Sequence, residues 1–168
     1  MISYYQPINN NKNGKIEKYE CLVRMIDIDG KIINPINFLD ISQKIRLYNQ
    51  ITTIVIKKSF NLFNNTDYEF SINLSIKDIL NHETYNFIKN ILAQNPDIAR
   101  RVIFEILEVE GISNYDIMAD FIDYIKKMGC KIAIDDFGSG YSNFDHIIKL
   151  RVNYIKIDSS IIKNLDKD

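Results

Sequence analysis

Several polar residues interrupt apolar stretches that otherwise read as core. Glu20 lies in "YECLVR", Asn73 in "FSINLS", Glu105 in "VIFEIL", Asp135 and Asp136 in "KIAIDDF", and Lys156 and Asp158 in "NYIKID". Carboxylates and an amide are hard oxygen donors, so a site built from them suits Mg2+, Mn2+ or Ca2+ and not zinc. The adjacent carboxylates of Asp135 and Asp136 repel each other, and a strand end is a costly place for uncompensated charge. A divalent cation removes that difficulty by neutralising the cluster. Two such ions ~3.5–4 Å apart support in-line displacement at a phosphodiester. Lys156 would then hold the attacking water or offset charge developing on phosphate.

Taken singly, each residue has a purely structural explanation. Asn73 can cap the next helix, Glu105 can be a rim charge paired with Arg101, and the Asp pair can cap the glycine loop of "DDFGSG". Lys156 can be a buried partner of either Asp. What weighs against these readings is recurrence: one polar group of the same kind sits at the end of strand after strand. His82 and His146 fall in helical or loop sequence and are not taken as ligands.

The elements that must position these groups follow from periodicity. "ISYYQPI" and "IEKYECLVRMI" read as strands joined by a turn at Asn13-Gly14, and "DIDGK" as a second turn. Asn34 and Pro35 have the pattern that opens a helix, and helical periodicity continues to Phe63. Beyond that, strands and helices alternate. "YEFSINLS" leads to a helix capped by Ser75 and Asp78. "RVIFEILE" leads to an amphipathic helix that buries Ile117, Phe121, Tyr124, Ile125 and Met128 and stops at Gly129. "KIAIDDF" leads to a short helix over 143–150, and "VNYIKID" to a last helix starting at Ser159. Such alternation implies parallel βαβ units, and near-continuous apolar strands imply a sheet covered by helices. A (β/α) barrel and an open doubly wound sheet both satisfy this. No Gly-rich fingerprint follows the first strand, which weakens the Rossmann-type dinucleotide-binding reading. In a barrel, the strand C-termini open on one face, where a site is built.

Composition narrows the function. The 168 residues are 46% hydrophobic and 26% charged, with a net charge of -1, which is ordinary for one globular domain. No global basic field draws in DNA, RNA or anionic lipid, so a phosphate-bearing ligand has to be held locally. Cys21 and Cys130 both have apolar neighbours and read as small buried hydrophobes. No apolar run approaches the ~18 residues of a membrane span and no leader is visible, so a cytoplasmic location is expected.

In these segments the sequence resembles the EAL domain family, bacterial phosphodiesterases that linearise cyclic di-GMP. "YYQPI" is similar to the family's opening strand and "YECLVR" to its signature, with Cys21 for the usual Ala. "SINLS", "FEILEVEGI", "IDDFGSGYSNF" and "YIKIDSSII" match further motifs in order and spacing, with Leu107 where Thr is usual. The resemblance runs from about Ser3 to Ile162. It implies a TIM-type barrel and a Mg2+- or Mn2+-dependent phosphodiesterase that yields the linear dinucleotide. It makes Glu20, Asn73, Glu105 and Asp135 metal ligands, gives Asp136 to a second metal, and makes Lys156 the residue that orients water. Gln6, Leu22 and Arg24 would touch the nucleotide, and Glu108 and Asp158 would steady the loop after Asp136. Met25 stands where the family often has an aromatic residue. Family members continue through two further strands with another Glu ligand, and a full barrel takes ~250 residues. The expectation is therefore a single domain over 1–168, incomplete as a barrel, that self-associates through its open edges. A non-catalytic module that senses cyclic di-GMP, or binds a protein partner, is the alternative. A receiver-type phosphoacceptor switch fits poorly, because its acidic pair ends an early strand.

Overall fold

The computed structural model describes residues 1–107, 115–138 and 148–163. Strands β1 (Ile2–Asn9) and β2 (Ile16–Ile26) form an antiparallel hairpin, and β3 (Ile32–Ile33) folds back on the end of β2. The tight turns suit their residues. Gly14 and Gly30 both adopt positive φ, which an L side chain resists. The Asp27 carboxylate accepts from the backbone N–H groups of Asp29 and Lys31 and closes the second hairpin.

Pro35 opens only a one-turn 3-10 helix, Pro35–Asn37, and Asn34 gives no side-chain cap, so the expected continuous helix is broken here. Helices α1 (Leu39–Lys44) and α2 (Tyr48–Phe63) follow. Strand β4 (Glu69–Asn73) leads into α3 (Ile76–Leu80), which starts with the expected capping box between Ser75 and Asp78. Asn81 then starts α4 (His82–Gln94) by accepting from the Thr84 backbone. After the turn α5 (Pro96–Ala99) come β5 (Val102–Leu107), α6 (Tyr115–Lys127), β6 (Lys131–Phe137), β7 (Tyr154–Ile157) and α7 (Ser159–Ile162). Residues 148–150 are helical, as expected there. Glu108, His146 and the rest of the expected helix over 143–150 lie outside the described residues.

One sheet runs in the order β1-β2-β4-β5-β6-β7. Every neighbouring pair from β2 onward is parallel, and this is part of a TIM-like barrel. Among the described residues β1 and β7 do not pair with each other. One face carries the apolar core. Phe70 stacks on Phe63 of α2 with ring centres 4.5 Å apart, and Phe104 meets Phe121 of α6 edge-on. The buried stripe of α6 is Met118, Phe121, Ile122 and Ile125. Ile117, expected inside, is 46% exposed, because the helix presents the stripe beginning one residue later. Arg101 ties the loop before β4 to β5 by donating to the carbonyls of Phe63, Thr66 and Tyr68.

The opposite face is polar, since alternate side chains of a strand point to opposite sides. Its lower part links four strands, β2, β4, β6 and β7, not all of them neighbours. Lys131 of β6 pairs with Glu69 of β4 and donates to the Tyr154 hydroxyl of β7, and the Lys18 ammonium of β2 lies 3.8 Å from the Tyr154 ring centre. Glu20, Ser71, Ala133 and Lys156 each follow one of these residues by two positions, which places them on the same face and nearer the strand C-termini.

Candidate functional site

Glu20 of β2, Glu105 of β5 and Asp135 of β6 converge at that end of the polar face. One carboxylate oxygen from each lies within 4.8 Å of the others. The parallel register brings this about: Glu20 pairs with Ser71, Asn73 with Glu105, and Leu107 with Asp135. Asn73 does not cap the next helix, a task Ser75 performs. Its amide donates to Glu20 Oε1 at 3.3 Å. Glu105 is not a rim charge paired with Arg101, whose guanidinium is taken up by the three carbonyls. The Glu105 residue is 3% exposed.

Lys156 of β7 sits at the focus of the three carboxylates. Its Nζ is 2.6 Å from Glu105 Oε2, 3.0 Å from Asp135 Oδ2 and 3.3 Å from Glu20 Oε2. The adjacent Asp residues are accommodated by a break in register. Ile134 pairs with Ile155 and Phe137 with Ile157, so Asp135 and Asp136 together stand opposite the single residue Lys156. This is a β-bulge, uncommon between parallel strands and frequent beside functional sites. Asp136 takes φ 54°, a left-handed conformation that Asp tolerates better than most residues. Its backbone N–H donates to Asp135 Oδ1 at 2.9 Å. Without the bulge, strand alternation would send one of the two carboxylates to the apolar face.

Protonation follows from these contacts. Burial pushes the Glu105 carboxyl above its ordinary range, and the Lys156 contact offsets part of that. Burial works against the charge on Lys156, but Glu105, Glu20 and Asp135 outweigh it and raise its pKa. Asp136 is raised by partial burial and by the charges of Asp135 and Asp158. Asp158 is half-buried. It caps α7 by accepting from the Ser160 backbone at 2.8 Å, which lowers its pKa, and its own N–H donates to the Phe137 carbonyl. Cys21 and Cys130 are buried free thiols pushed up to about 12 by burial, and both pack in the core.

The remaining sequence-derived candidates lie around this cluster. Gln6 of β1 stands opposite Glu20 in the hairpin register and is exposed. Arg24 lies toward the end of β2, where it donates to the Val23 carbonyl and rests 5.4 Å from the Tyr4 ring centre, and it makes no ion pair with the carboxylates. Leu22 lines a cavity of about 260 Å³ that reaches Asn73 and Glu105 and whose wall includes Pro35, Leu39 and Tyr48. That wall was not singled out from the sequence, because it is built by elements far from the strand motifs. Tyr4 was missed as well, although it alternates with Gln6 on one strand and so shares its face.

The chain belongs to the EAL domain family, whose profile matches residues 1–168. It is 30% identical over 168 residues to the cyclic di-GMP phosphodiesterase PdeA of Borreliella burgdorferi, covering 97% of this chain and 25% of that protein. It is 31% identical over 172 residues to the cyclic di-GMP phosphodiesterase PdeB of Shewanella oneidensis, covering 98% of this chain and 20% of that protein. The chain thus spans a quarter or less of the length of these two relatives. Among solved structures, a PaMucR phosphodiesterase in complex with c-di-GMP superposes with a TM-score of 0.86 at 26% identity, over 99% of this chain and 70% of that one. An EAL domain protein from Listeria monocytogenes EGD-e gives a TM-score of 0.83 at 26% identity, over 99% and 67%. None of the described helices is long and apolar enough to cross a membrane.

Proposed function

We propose that the protein acts in the hydrolysis of cyclic di-GMP to the linear dinucleotide pGpG, with a divalent cation held by Glu20, Asn73, Glu105 and Asp135. The observation that carries this reading is the convergence of three carboxylates from three strands on one cationic centre, the Lys156 ammonium. Such an arrangement fits a metal, since the donors are all oxygens and their focus already accepts a positive charge. When bound, Mg2+ or Mn2+ would neutralise phosphate charge and activate water. Asp136, exposed at the rim and turned by the bulge, would serve a second cation.

The chain's own residues supply the rest. Arg24 would pair with a phosphate oxygen, and a guanidinium suits that geometry. Leu22 and the apolar cavity beside it would take up base or sugar surface, with Gln6 bonding at the edge of a base. Lys156 is held protonated by its neighbours, so it serves as a hydrogen-bond donor and a positive charge and not as a base. Water oxygen forms a bond to one phosphorus, the bond from that phosphorus to a ribose 3′ oxygen breaks, and the leaving oxygen takes up a proton. The Asp158 cap and the bulge hold Lys156 against Asp135. Glu108, which follows β5, is assigned to steadying the loop after Asp136. The 168 residues form one domain in this reading, and the edges at β1 and β7, which have no outer partner strand among the described residues, support self-association.

The test is incubation of the purified protein with cyclic di-GMP and Mn2+, followed by chromatography for the linear product. Product that disappears in Asp135→Asn is the expected result. Nucleotide binding without turnover by the folded wild-type chain would refute catalysis and leave the sensor function.

A further inference from the structure

We infer that Lys156 is the resident counter-ion of the carboxylate cluster and competes with a divalent cation for it, so that this lysine sets the metal affinity of the site. The inference rests on the cluster being a metal site. An ammonium is a compact point charge with three donors on a flexible stem. Here the ammonium donates to Glu105 Oε2 at 2.6 Å and Asp135 Oδ2 at 3.0 Å and forms an ion pair with Glu20 Oε2 at 3.3 Å. Among the described residues no other cationic side chain forms an ion pair with Glu20, Glu105 or Asp135. The oxygens that Lys156 engages belong to the same three carboxylates that come close enough to share an ion.

A divalent cation binds oxygens at about 2.0–2.6 Å and would need the lone pairs that the ammonium now uses. The two positive charges also repel at this range. Metal entry therefore requires Lys156 to give up at least part of its contacts. The side chain has a way out, since it is 31% exposed. The bulge also sets exposed Asp136 opposite the same lysine, where its charge can receive the displaced ammonium. In the metal-free state the lysine keeps the buried Glu105 from standing as an isolated charge, which would be costly. The lysine that compensates the carboxylates without a metal is thus the one that opposes loading.

The deciding measurement is direct Mn2+ binding, followed by loss of the free-ion electron paramagnetic resonance signal, for the wild type, Lys156→Met and Lys156→Arg. Lys156→Met is expected to bind Mn2+ at least tenfold more tightly than the wild type, and Lys156→Arg, which keeps the charge, to stay within about threefold of it. Equal or weaker binding by Lys156→Met would overturn the inference, as would failure of Mn2+ to bind any of the three. If the Met variant does not fold, reductive methylation of the wild type reads the same event by peptide mass spectrometry. Mn2+ should speed labelling of Lys156, and unchanged or slower labelling overturns the displacement. These readouts do not involve the nucleotide. Tighter binding by Lys156→Met alongside absent turnover by the wild type would uphold this inference and defeat the catalytic one.

Discussion

Replacing Glu105 by Gln should leave the metal-free fold as stable as the wild type or more stable, although the substitution deletes the shortest contact of the site. The Lys156 hydrogen bond to Glu105 Oε2, at 2.6 Å, is charge-assisted and of a kind that contributes about 1.5–3 kcal/mol. Against it stands the burial of a carboxylate that is 3% exposed, an effective cost of several kcal/mol per ion. The direction of the Glu105 pKa decides between the two. It is raised even though Lys156 is adjacent and charged, so at neutral pH the ionised group is less at home in the folded state than in water. Lys156 is itself raised by the same contact, but its shift describes removal of the lysine's charge and not of the glutamate's. The expected outcome for Glu105→Gln at pH 7 is therefore a stability equal to or above that of the wild type.

The pH dependence has a definite sign. A carboxyl whose folded pKa is raised contributes stability below its unfolded value, about 4.3 for Glu, and that contribution is lost as pH rises through the folded value. The advantage of Glu105→Gln should therefore be largest near neutrality and vanish toward pH 4. Urea denaturation in chelator-treated buffer from pH 4 to 8 measures it. A loss of more than about 1 kcal/mol at pH 7, or a difference independent of pH, would show that Glu105 is a structural element and refute the reasoning.

Arg101→Met removes the donor that serves the carbonyls of Phe63, Thr66 and Tyr68 and should cost about 1.5–3 kcal/mol in thermal or urea unfolding, since the part-buried bonds to Phe63 and Thr66 lose a charged donor. Gly138→Ala should cost about 1–3 kcal/mol, because Gly138 has φ 89° and an added Cβ would fall 2.2 Å from Ile161 Cδ1. The terminal carbon of Ile161 can move aside but the left-handed backbone cannot, so a cavity-relieving Ile161→Val should recover only part of the loss. Phe104→Ala empties the contact between β5 and α6 and should cost about 3–5 kcal/mol, enough to leave a domain of ordinary stability marginally folded by circular dichroism.

The parallel order of strands was legible because apolar runs alternate with amphipathic stretches, and the site was legible because polar residues interrupt those runs at their C-terminal ends. What escaped was of another kind. Ile117 was placed inside α6, yet a helix of this composition carries two overlapping apolar stripes, and only packing against Phe104 selects the one through Met118. Asn34 has the residue type of a helix start without the geometry, because Pro35 is followed by a single tight turn. Arg101 was offered to Glu105 by charge alone, whereas three carbonyls of the preceding loop lie nearer its guanidinium. The cavity wall of Pro35, Leu39 and Tyr48 has no motif of its own, since its residues are ordinary apolar choices for a helical face. In each case the missing information was a distance between elements remote in sequence.

The bulge after Ile134 shows how the legible and illegible parts depend on each other. An uninterrupted strand would send one of Asp135 and Asp136 into the helix-covered core, where an unpaired carboxylate is not tolerated. One extra residue, accepted at the cost of a positive φ on Asp136, keeps Asp135 paired with Lys156, leaves Asp136 exposed at the rim, and lets the chain resume its pairing at Phe137 and Ile157. Gly138 then has to follow at positive φ to clear Ile161, and Asp158 caps the helix that presses on it. The letters of "IDDFGSG" and "KID" therefore answer one geometric demand: strand β6 must present two charges to one lysine and still remain in the sheet. A shift of that register by one residue would break the site without removing any of its side chains.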